Sequence, residues 1–567
     1  MPSQPLKIVV IGGSAAGPKA AAKARRLDEH AAITLIQKEA DLSMASCGFP
    51  YYVGGVFDDR NQLICTPAGI VRDPNFFQKA KAIEALVETE ATHIDRAAKT
   101  VTCTHLPSGE SRTLSYDRLV IATGATPLRP PVPGTELEGI HTLQSLGDAD
   151  ALRAIRDAGK VRKAVIVGGG LIGFEVCEAL HLAGIQTTVI EKTDSILPFL
   201  DRQLAHLVEN EVRRQGADII TGNGVAAFLG EDGKLAGVKL DNGTELPCEL
   251  AVVAVGVRPN VALAEAAGLE IGALGGIRVN AQMQTSDPDI YAAGDCVECR
   301  SLITGEAVRA PYGDLANLQG RVIGQNLIEP GSASFPGITH TGICKVFDYT
   351  IGFTGLNAEQ ARASGITDIE TVTISGLDIP GYMGGKVLIS QMVAERASGR
   401  ILGFQCIGPG DASKRVATVA MAIRGGLGIE ELANADLPYA PPYSLALDHV
   451  IVSAHVLENK LKGLMQGLSA AEVKQRVDSG AECFIIDTRT PQEYEEERLG
   501  IGEHLIPVGA LRSRLDELPA DKSQEIILYC KVSMRGYEAA AALKANGFRN
   551  VKVLEGGVLA WPYPREK

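Results

Sequence analysis

The chain has 567 residues, more than one hydrophobic core usually supports, so several structural units are expected. Its 45% hydrophobic and 22% charged residues are typical of a globular protein, and no stretch is apolar enough to predict a membrane span. A formal net charge of −13 argues against nucleic acid as a partner. The N-terminus shows no signal-peptide pattern and the eleven cysteines no secreted pattern, so we expect a cytoplasmic protein.

Two segments near the start of the chain predict the same local structure: a strand, a glycine turn and a helix. The first runs from Ile8 to Gly17 (IVVIGGSAAG) and the second from Val165 to Gly173 (VIVGGGLIG). Such a turn lets the backbone approach a pyrophosphate at a helix N-terminus. Alternating strands and helices around both turns predict an α/β fold with two Rossmann-like domains, and therefore two bound nucleotides.

The strands that follow the two turns end differently. In the second unit Glu191 ends TTVIEK, where a carboxylate can accept hydrogen bonds from ribose hydroxyls; this favours NADH, although Lys192 beside it keeps NADPH as an alternative. In the first unit Ser14 stands at the middle glycine position, and Gln37 ends ITLIQK where an acid is usual. Glu39, two residues on, could substitute for that acid.

One cysteine, Cys47, stands alone in LSMASCGFPYY (Leu42 to Tyr52). Two-cysteine flavin reductases carry CxxxxC here, but Leu42 occupies the other cysteine position, so no local disulfide can form. The redox state would be a mixed disulfide, a persulfide or a sulfenic acid. A thiolate near a helix N-terminus or a flavin has a lowered pKa, which we expect for Cys47; the alternative is an inert buried cysteine.

Taken together, these motifs resemble the single-cysteine branch of the pyridine nucleotide-disulfide oxidoreductases. The resemblance rests on the glycine turns, SMASCGFPYY, LVIATGATP, IYAAGDC and ANLQGRVIGQN, and reaches to about residue 450. The branch includes coenzyme A disulfide reductases, NADH oxidases, NADH peroxidases and NADH-dependent persulfide reductases. It implies FAD, NAD(P)H and coenzyme A as ligands, Cys47 as the redox cysteine at the flavin, and Asp295 at the FAD ribityl or pyrophosphate region.

The cofactor site implied by this resemblance draws on all of these motifs. Its predicted residues are Gly12, Gly13, Ser14, Ala16, Gly17, Gln37, Lys38, Glu39, Ser46, Ala122, Thr123, Gly124, Gly168, Gly170, Leu171, Ile172, Gly173, Glu191, Gly256, Gly294, Asp295 and Ala316. The family commonly has Phe and Asn where this chain has Met44 and Ser46, which concerns the tuning of the cysteine rather than its role. Cys296 and Cys299 form a single CxxC inside the IYAAGDC motif, so no metal site is predicted.

Two further groups follow from the likeness to coenzyme A disulfide reductases. Those enzymes use two tyrosines that reach the partner subunit's active site; Tyr439 in YAPPYS matches one well and Tyr382 in PGYMGG the other less closely. This implies a homodimer with a shared active site, whereas the alternative is two core tyrosines. Coenzyme A phosphates would contact the helix after the first glycine turn, although charges on a solvated helix face explain its cations equally well. The candidate residues are Lys19, Lys23, Arg25 and Arg26, with Ser43 nearby.

The last hundred residues resemble a rhodanese domain, through DTRTPQEYEE, HLIPVGA and CKVSMRG. FIIDTR and EIILYC predict buried parallel strands, and YEAAAALKANGF predicts the helix after the second. Cys530 follows a strand, where backbone N–H groups would stabilise a thiolate or persulfide, so it is the predicted sulfur carrier. Arg535 would contact the bound donor. Phosphatase loops have one more residue between cysteine and arginine, which favours sulfur as substrate.

These resemblances predict four domains with defined bounds. They are an FAD-binding domain (1–147 and 261–326), an NAD(P)H-binding domain (148–260), an α+β dimerisation domain (327–450) and a C-terminal α/β rhodanese-like domain (467–567), the last two joined by a linker (451–466). The predicted activity is NAD(P)H-dependent reduction of coenzyme A persulfide, polysulfide or related sulfane sulfur. Three alternatives stay open: a coenzyme A disulfide reductase with an independent rhodanese domain, an NADH oxidase or peroxidase, and a flavin-bound redox sensor. The first nucleotide-binding helix lacks the histidine usual in oxidases and peroxidases.

Overall fold

A computed structural model describes residues 4–567 and divides into two compact units. The first comprises the residues up to Lys192 together with Gly222–Ile338. The second comprises Thr193–Thr221 and Thr339–Lys567. The segment 193–221, which the sequence placed in the NAD(P)H-binding domain, therefore groups with the second unit; the four domain boundaries themselves stay predictions.

The first glycine turn belongs to a five-stranded parallel sheet in the first unit. Its strands, in spatial order, are Ile290–Ala292, Arg118–Ile121, Lys7–Ile11, Ala32–Ile36 and Ile83–Leu86. Helix Ala16–Leu27 follows the turn and packs against helix Gly313–Asn326. Glycine permits this close approach, because a Cβ on Gly320 would overlap the carbonyl oxygen of Ala16.

The second glycine turn belongs to a separate parallel sheet in the same unit. Its strands in that unit are Gln186–Ile190, Lys163–Val167, Leu250–Val253 and Ile140–His141. Helix Leu171–Leu182 follows the turn, and helix Leu146–Ala158 begins at a capping box formed by Ser145 and Asp148. Both strand-turn-helix predictions are confirmed.

Smaller elements complete the first unit. Its antiparallel strands are Thr89–Asp95, Thr100–His105 and Ser111–Ser115 in one sheet, Val225–Glu231, Lys234–Leu240 and Glu245–Pro247 in another, Ala125–Pro127 paired with Val257–Pro259, and Cys299–Arg300 paired with Ala307–Val308. Its remaining helices are Phe49–Gly54, Pro74–Lys81 and Ala262–Ala266.

The second unit contains an antiparallel sheet with helices packed on it. In spatial order its strands are Gly342–Val346, Tyr349–Gly355, Ile401–Gly408, Val387–Glu395 and Ile369–Leu377. The helices of this part of the chain are Ala358–Ala363, Ser413–Gly425, Ile429–Ala433 and His449–Leu461. The segment 193–221 adds helix Arg202–Arg214 and strand Asp218–Ile220.

The linker expected at 451–466 is largely helical in the structure. Helix His449–Leu461 starts at Asp448, whose side chain accepts a hydrogen bond from the backbone N–H of Val450. Ile451, Ala454 and Leu457 are buried, and the helix packs against strand Ile369–Leu377. The proline-rich stretch LPYAPPYS, residues 437–444, lies before this helix and does not interrupt it. Burial of one apolar face therefore orders the segment.

The C-terminal part of the second unit is a five-stranded parallel sheet. Its strands, in spatial order, are Gly467–Leu468, Val551–Leu554, Glu525–Tyr529, Cys483–Asp487 and His504–Leu505. Its helices are Ala470–Asp478, Pro491–Glu496 and Met534–Ala545. The two predicted buried strands pair in parallel from Cys483 with Glu525 onward, as the sequence indicated.

Buried polar contacts join this parallel sheet to the antiparallel sheet of the same unit. Lys460 forms ion pairs with Glu555 and with Glu370, the latter at 3.0 Å. Glu555 also accepts a hydrogen bond from the backbone N–H of Thr373 at 2.8 Å, and the Ser375 hydroxyl donates to the carbonyl of Gly556 at 2.7 Å. The C-terminal sheet is therefore docked in place rather than tethered by a free linker. Across residues 4–567 no helix is long and apolar enough to cross a membrane.

Candidate active site

The two glycine turns share one backbone geometry. Gly12 and Gly168 have φ of +111° and +113°, and a Cβ on either would overlap a carbonyl oxygen of the neighbouring strand end. A Cβ on Gly17 or Gly173 would overlap the carbonyl oxygen of the first glycine in its own turn. By contrast, a Cβ on Gly170 would meet nothing within 4 Å. The middle position thus faces open space where a pyrophosphate can approach the helix N-terminus, so the turn fits a dinucleotide.

Gln37 takes a structural role at the end of the second strand. Its side-chain oxygen accepts a hydrogen bond from the backbone N–H of Gly13 at 2.8 Å, and its amide donates to the carbonyl of Asp41. An amide oxygen can accept this bond as a carboxylate would, which explains the departure from the usual acid. Lys38 pairs with Glu90 at the surface, and Glu39 is exposed, with a pKa raised first by desolvation and then by Asp148.

In the second unit Glu191 lies where the sequence predicted it. Its carboxylate accepts a hydrogen bond from the backbone N–H of Gly169 at 2.8 Å, next to the open middle position of the turn. Leu171 and Ile172 form the first turn of the following helix, and 43% of Ile172 is exposed. Gly256 follows the neighbouring strand with φ of +105°. These residues follow the carboxyl ends of parallel strands, the usual place for a nucleotide in such sheets.

The remaining predicted FAD contacts gather at the end of the first sheet. Gly294 has φ of +82° and faces Ala16 and Ala316, whose Cβ atoms lie 3.6 and 3.7 Å from an added Cβ. Burial raises the pKa of Asp295, which follows Gly294, to about 6. Ala122, Thr123 and Gly124 follow strand Arg118–Ile121 in the same sheet, and Gly124 faces open space.

Two residues that organise this end of the sheet were missed in the sequence analysis. The Gln319 side chain accepts from the backbone N–H of Gly294 at 2.8 Å and donates to the sulfur of Cys299 at 3.0 Å. Asn260 donates to the Thr123 carbonyl at 2.9 Å. Gln319 lies inside the ANLQGRVIGQN motif and could have been found there, whereas no local pattern marks Asn260.

Cys47 sits in a short 3-10 turn, Ser46–Gly48, directly before helix Phe49–Gly54. All eleven cysteines are free, and Cys47 is solvent-exposed, so it is not the inert buried cysteine of the alternative interpretation. The surrounding protein raises the pKa of its thiol, through partial desolvation first, then Glu175 and Asp314. The protein side chains therefore act against the lowered pKa expected from sequence.

Glu175 is a second titratable group of this site that the sequence analysis overlooked. It lies on helix Leu171–Leu182, and its carboxylate is within 3.5 Å of the Tyr51 hydroxyl. Burial raises its pKa to about 7, partly offset by the hydrogen bond from Tyr51. No motif links Glu175 to Cys47, because the contact joins the first helix of one Rossmann unit to the turn beside the other.

The predicted coenzyme A contacts separate into accessible and inaccessible groups. Lys19 and Arg26 are exposed, and Lys23 lines a cavity of about 250 Å³ together with Arg321. Ser43 has φ of +53°, and its carbonyl accepts from Arg72. Arg25 is different: it is buried and donates to five backbone carbonyls, which are those of Asp28, Glu29, Ala31, Lys81 and Ala82. Arg25 is thus structural and is removed from the candidates.

Both predicted tyrosines are at the surface of the second unit. Tyr382 is 78% exposed and Tyr439 53% exposed, which excludes the alternative of two core tyrosines. Tyr382 lies in a short 3-10 turn, Gly381–Met383, within the loop between strands Ile369–Leu377 and Val387–Glu395, and Tyr439 lies in the loop before helix His449–Leu461. Their hydroxyl groups are therefore available to a partner molecule.

The C-terminal sheet presents Cys530 at the end of strand Glu525–Tyr529. Cys530 is fully buried, and the loop after it turns at Ser533, which has φ of +78°, into helix Met534–Ala545. Arg535 interacts with Cys530 but also donates two hydrogen bonds of 2.7 Å to Glu493. This pairing holds the pKa of Glu493 down to about 2. Arg535 therefore lies in the electrostatic neighbourhood of Cys530 with its charge already balanced by a carboxylate, and its contact with a bound donor stays a prediction.

Cys296 and Cys299 do not act as a pair. The Cys296 thiol contacts the carbonyls of Ala293 and Ile121, while Cys299 accepts from Gln319. Burial raises the pKa of both thiols. Within residues 4–567 no cluster of three or more His, Cys, Asp or Glu side chains could hold a metal ion.

Two dinucleotide turns in separate parallel sheets and a solitary exposed cysteine beside them define a nucleotide-dependent oxidoreductase, to which a C-terminal α/β domain with a buried cysteine is fused. Sequence models of known families agree with this class. The model of pyridine nucleotide-disulphide oxidoreductases matches residues 6–312, that of their dimerisation domain 341–451, and that of rhodanese-like domains 469–562. The chain belongs to the pyridine nucleotide-disulphide oxidoreductases, and its cofactors are FAD and a nicotinamide nucleotide.

Individual relatives extend this assignment. The structure of a NAD-dependent persulfide reductase from A. fulgidus superposes with a TM-score of 0.93 at 43% identity, covering 98% of this chain and 100% of that one. A NAD(P)H coenzyme A polysulfide/persulfide reductase of Pyrococcus horikoshii is 33% identical over 80% of this chain and 98% of its own length. An NADH oxidase of Methanocaldococcus jannaschii is 31% identical over 81% of this chain and 99% of its own.

Proposed function

We propose that this enzyme uses NADH or NADPH to reduce sulfane sulfur, in coenzyme A persulfide, polysulfide or a related substrate. For a persulfide the balance is RSSH + NADH + H⁺ giving RSH + H₂S + NAD⁺. FAD, when bound, supplies the route for two electrons from the nicotinamide to sulfur. Cys47 attacks a substrate sulfur and forms an S–S bond, one sulfur species leaves, and the two electrons then break that bond.

The solitary, exposed Cys47 is the observation that carries this proposal. It has no cysteine partner, so its oxidised form must involve a sulfur from outside the chain, or oxygen. Glu175, with a pKa near 7 and a contact to Tyr51, can hold a proton beside the thiol at neutral pH. Departing thiolates also need a proton, and the exposed phenols of Tyr439 and Tyr382 would give one from a second copy of the chain in a homodimer.

The rhodanese-like domain would supply the sulfur. Cys530 carries sulfane sulfur taken from a donor and passes it to coenzyme A or to Cys47. A module of this kind has no use in reducing a plain disulfide, which is why persulfide chemistry is favoured. Arg535 keeps a positive group at Cys530 while Glu493 fixes its orientation.

Coenzyme A would lie along helix Ala16–Leu27. Lys23 and Arg321 place two cations around one cavity, a suitable site for phosphate groups, and Lys19 and Arg26 add charge on the exposed side. Ser43 lies close to Cys47 in sequence and would contact the arm of the substrate.

A coenzyme A disulfide reductase with an independent rhodanese domain is the second candidate, since it needs the same nucleophile and the same phosphate contacts. An oxidase, as in the M. jannaschii relative, would cycle Cys47 through a sulfenic acid. The missing histidine in helix Ala16–Leu27 disfavours the oxidase.

NADH-dependent turnover with coenzyme A persulfide, polysulfide and coenzyme A disulfide distinguishes these functions. It should be measured in the parent and in Cys47→Ser and Cys530→Ser, with Cys65→Ser and Cys483→Ser as matched controls, because both control cysteines are free and half-buried. We expect sulfane sulfur to be the better substrate, Cys47→Ser to abolish turnover, and Cys530→Ser to slow polysulfide use.

Faster turnover of the disulfide, unchanged by Cys530→Ser, would identify a coenzyme A disulfide reductase instead. Turnover with oxygen that exceeds turnover with every sulfur substrate would identify an oxidase. Slow reoxidation of the reduced flavin by every acceptor would identify a redox sensor.

A further inference from the structure

One buried arginine links the two loops that carry the exposed tyrosines. Arg415, on helix Ser413–Gly425, is only 1% exposed. Its guanidinium donates to groups on three separate segments, and two of these segments are the loops of Tyr382 and Tyr439. This arrangement cannot be read from the sequence, because Arg415 lies at least 24 residues from either tyrosine.

The first segment is the loop of Tyr382. Nη2 of Arg415 donates to the backbone carbonyl of Asp378 at 2.7 Å. The Asp378 carboxylate accepts from the backbone N–H of Lys386 at 2.7 Å, and the Asp378 N–H donates to the Lys386 carbonyl at 2.9 Å. These bonds close the base of the loop that contains Tyr382. Arg415 therefore holds the loop at its base while the phenol at its tip stays exposed.

The second segment is the loop of Tyr439. Arg415 pairs with the carboxylate of Asp448, with Nη2 2.9 Å from one of its oxygens. The same carboxylate accepts from the Ser444 hydroxyl at 2.7 Å, and the Ser444 N–H donates to the Ala440 carbonyl, next to Tyr439. Asp448 and Ser444 are buried, so both hydrogen bonds are shielded from water.

The third segment connects the other two. Nη1 of Arg415 donates to the carbonyl of Asp411 at 2.9 Å, and the Asp411 N–H donates to the Asp378 carboxylate at 3.1 Å. A planar guanidinium spreads five N–H donors in fixed directions over three nitrogens and so reaches all three segments at once, whereas the three donors of a lysine ammonium share one nitrogen.

We propose that Arg415 is a positioning residue that sets the relative placement of the two tyrosine loops. Its effect on turnover rests on the proposed function, since it acts through Tyr382 and Tyr439 as proton donors. Misplacing reacting groups by about 1 Å can cost about 100-fold in rate, so a link between two loops can control turnover without touching substrate.

Amide hydrogen exchange in Arg415→Lys tests the placement directly. This variant keeps a positive charge beside Asp448 and avoids an unpaired buried carboxylate, so it is expected to fold. We expect faster exchange in both 379–386 and 440–444, with little change in Arg424→Lys, an exposed arginine on the same helix. Faster exchange in only one loop, or in neither, would overturn the proposal.

A double-mutant cycle tests the consequence for turnover. Arg415→Lys should lower kcat with the sulfur substrate about 10- to 100-fold in the parent and less than about twofold in a Tyr382→Phe/Tyr439→Phe background. The rate of flavin reduction by NADH should stay unchanged. An equal loss in both backgrounds would contradict a role through the tyrosines. If the two phenylalanine substitutions leave kcat unchanged, the proposed function of the tyrosines fails, while the exchange result still decides the placement.

Discussion

Cys47 and Glu175 illustrate how single residues of this site depend on one another. The exposed thiol has its pKa raised by desolvation first and by Glu175 next, and burial brings the pKa of Glu175 itself to about 7. A neutral carboxylic acid exerts no Coulomb repulsion on a thiolate, whereas a carboxylate does. The reactivity of Cys47 is therefore coupled to the protonation of Glu175.

Glu175→Gln should lower the pKa of the Cys47 thiol, because it removes a negative charge that is present above about pH 7. The rates of Cys47 alkylation in the parent and the variant should differ above that pH and become equal below it. The measurement is the rate of Cys47 alkylation by iodoacetamide against pH, followed by mass spectrometry of the peptide.

Asp314→Asn provides the comparison for this measurement. Asp314 ranks after Glu175 among the charges that raise the pKa of Cys47, so its removal should shift the alkylation profile in the same direction but less. A larger effect of Asp314→Asn, or none from Glu175→Gln, would contradict the coupling.

Among the structural elements, each glycine turn has positions where packing requires glycine and a position that is open to a ligand. A Cβ on Gly173 would overlap the carbonyl oxygen of Gly168, whereas a Cβ on Gly170 meets no atom of the chain. Gly170 has an ordinary φ of −91°, so the backbone does not require glycine there. We therefore expect a bound dinucleotide to be the reason for glycine at this position.

Gly173→Ala should lower the free energy of unfolding by about 1–3 kcal/mol, the usual cost of forcing an extra methyl group into packed structure. Gly170→Ala should leave this free energy within about 0.5 kcal/mol of the parent but weaken NADH binding. Urea denaturation measures the first quantity, and titration calorimetry with NADH the second. Unchanged NADH affinity in Gly170→Ala would exclude a pyrophosphate at this turn.

At the scale of the whole molecule, buried polar contacts dock the rhodanese-like domain against the antiparallel sheet of the same unit. Glu555 is 3% exposed, and Lys460 lies between it and Glu370. Further contacts fix the same domain: the Gln203 amide donates to the carbonyl of Ala560 at 2.8 Å, and that of Asn210 to the carbonyl of Pro562. Removing one partner of a buried ion pair leaves an uncompensated charge.

Lys460→Met should therefore lower the free energy of unfolding of this domain by about 3–5 kcal/mol. Trp561 is the single tryptophan of the chain and is buried in the same domain, so its fluorescence reports the transition in urea. Lys462→Met is the control, because its pair with Glu458 is exposed and worth less than about 1 kcal/mol. Equal midpoints for the two variants would show that the buried pair does not anchor the domain.

The sequence by itself determined the parts of this protein that depend on short-range constraints. Glycine spacing in the two turns, the solitary Cys47 and the strand-loop-helix around Cys530 each use a few consecutive residues whose backbone geometry permits little else. These segments identified the α/β fold and the nucleotide cofactors correctly, while the roles of Cys47 and Cys530 stay predictions.

Tertiary structure decided everything that depends on residues far apart in the chain. Most of the expected linker belongs to helix His449–Leu461, because one apolar face of that helix is buried. Arg25 is buried as well and is therefore not a candidate contact for coenzyme A. Tertiary structure also brought Glu175 into electrostatic contact with Cys47 and joined two tyrosine loops through Arg415. Hydrophobic periodicity and spacing indicate which face of a helix or strand is buried, but not which other element packs against that face. Long-range pairings of charged groups therefore leave no local signal in the sequence.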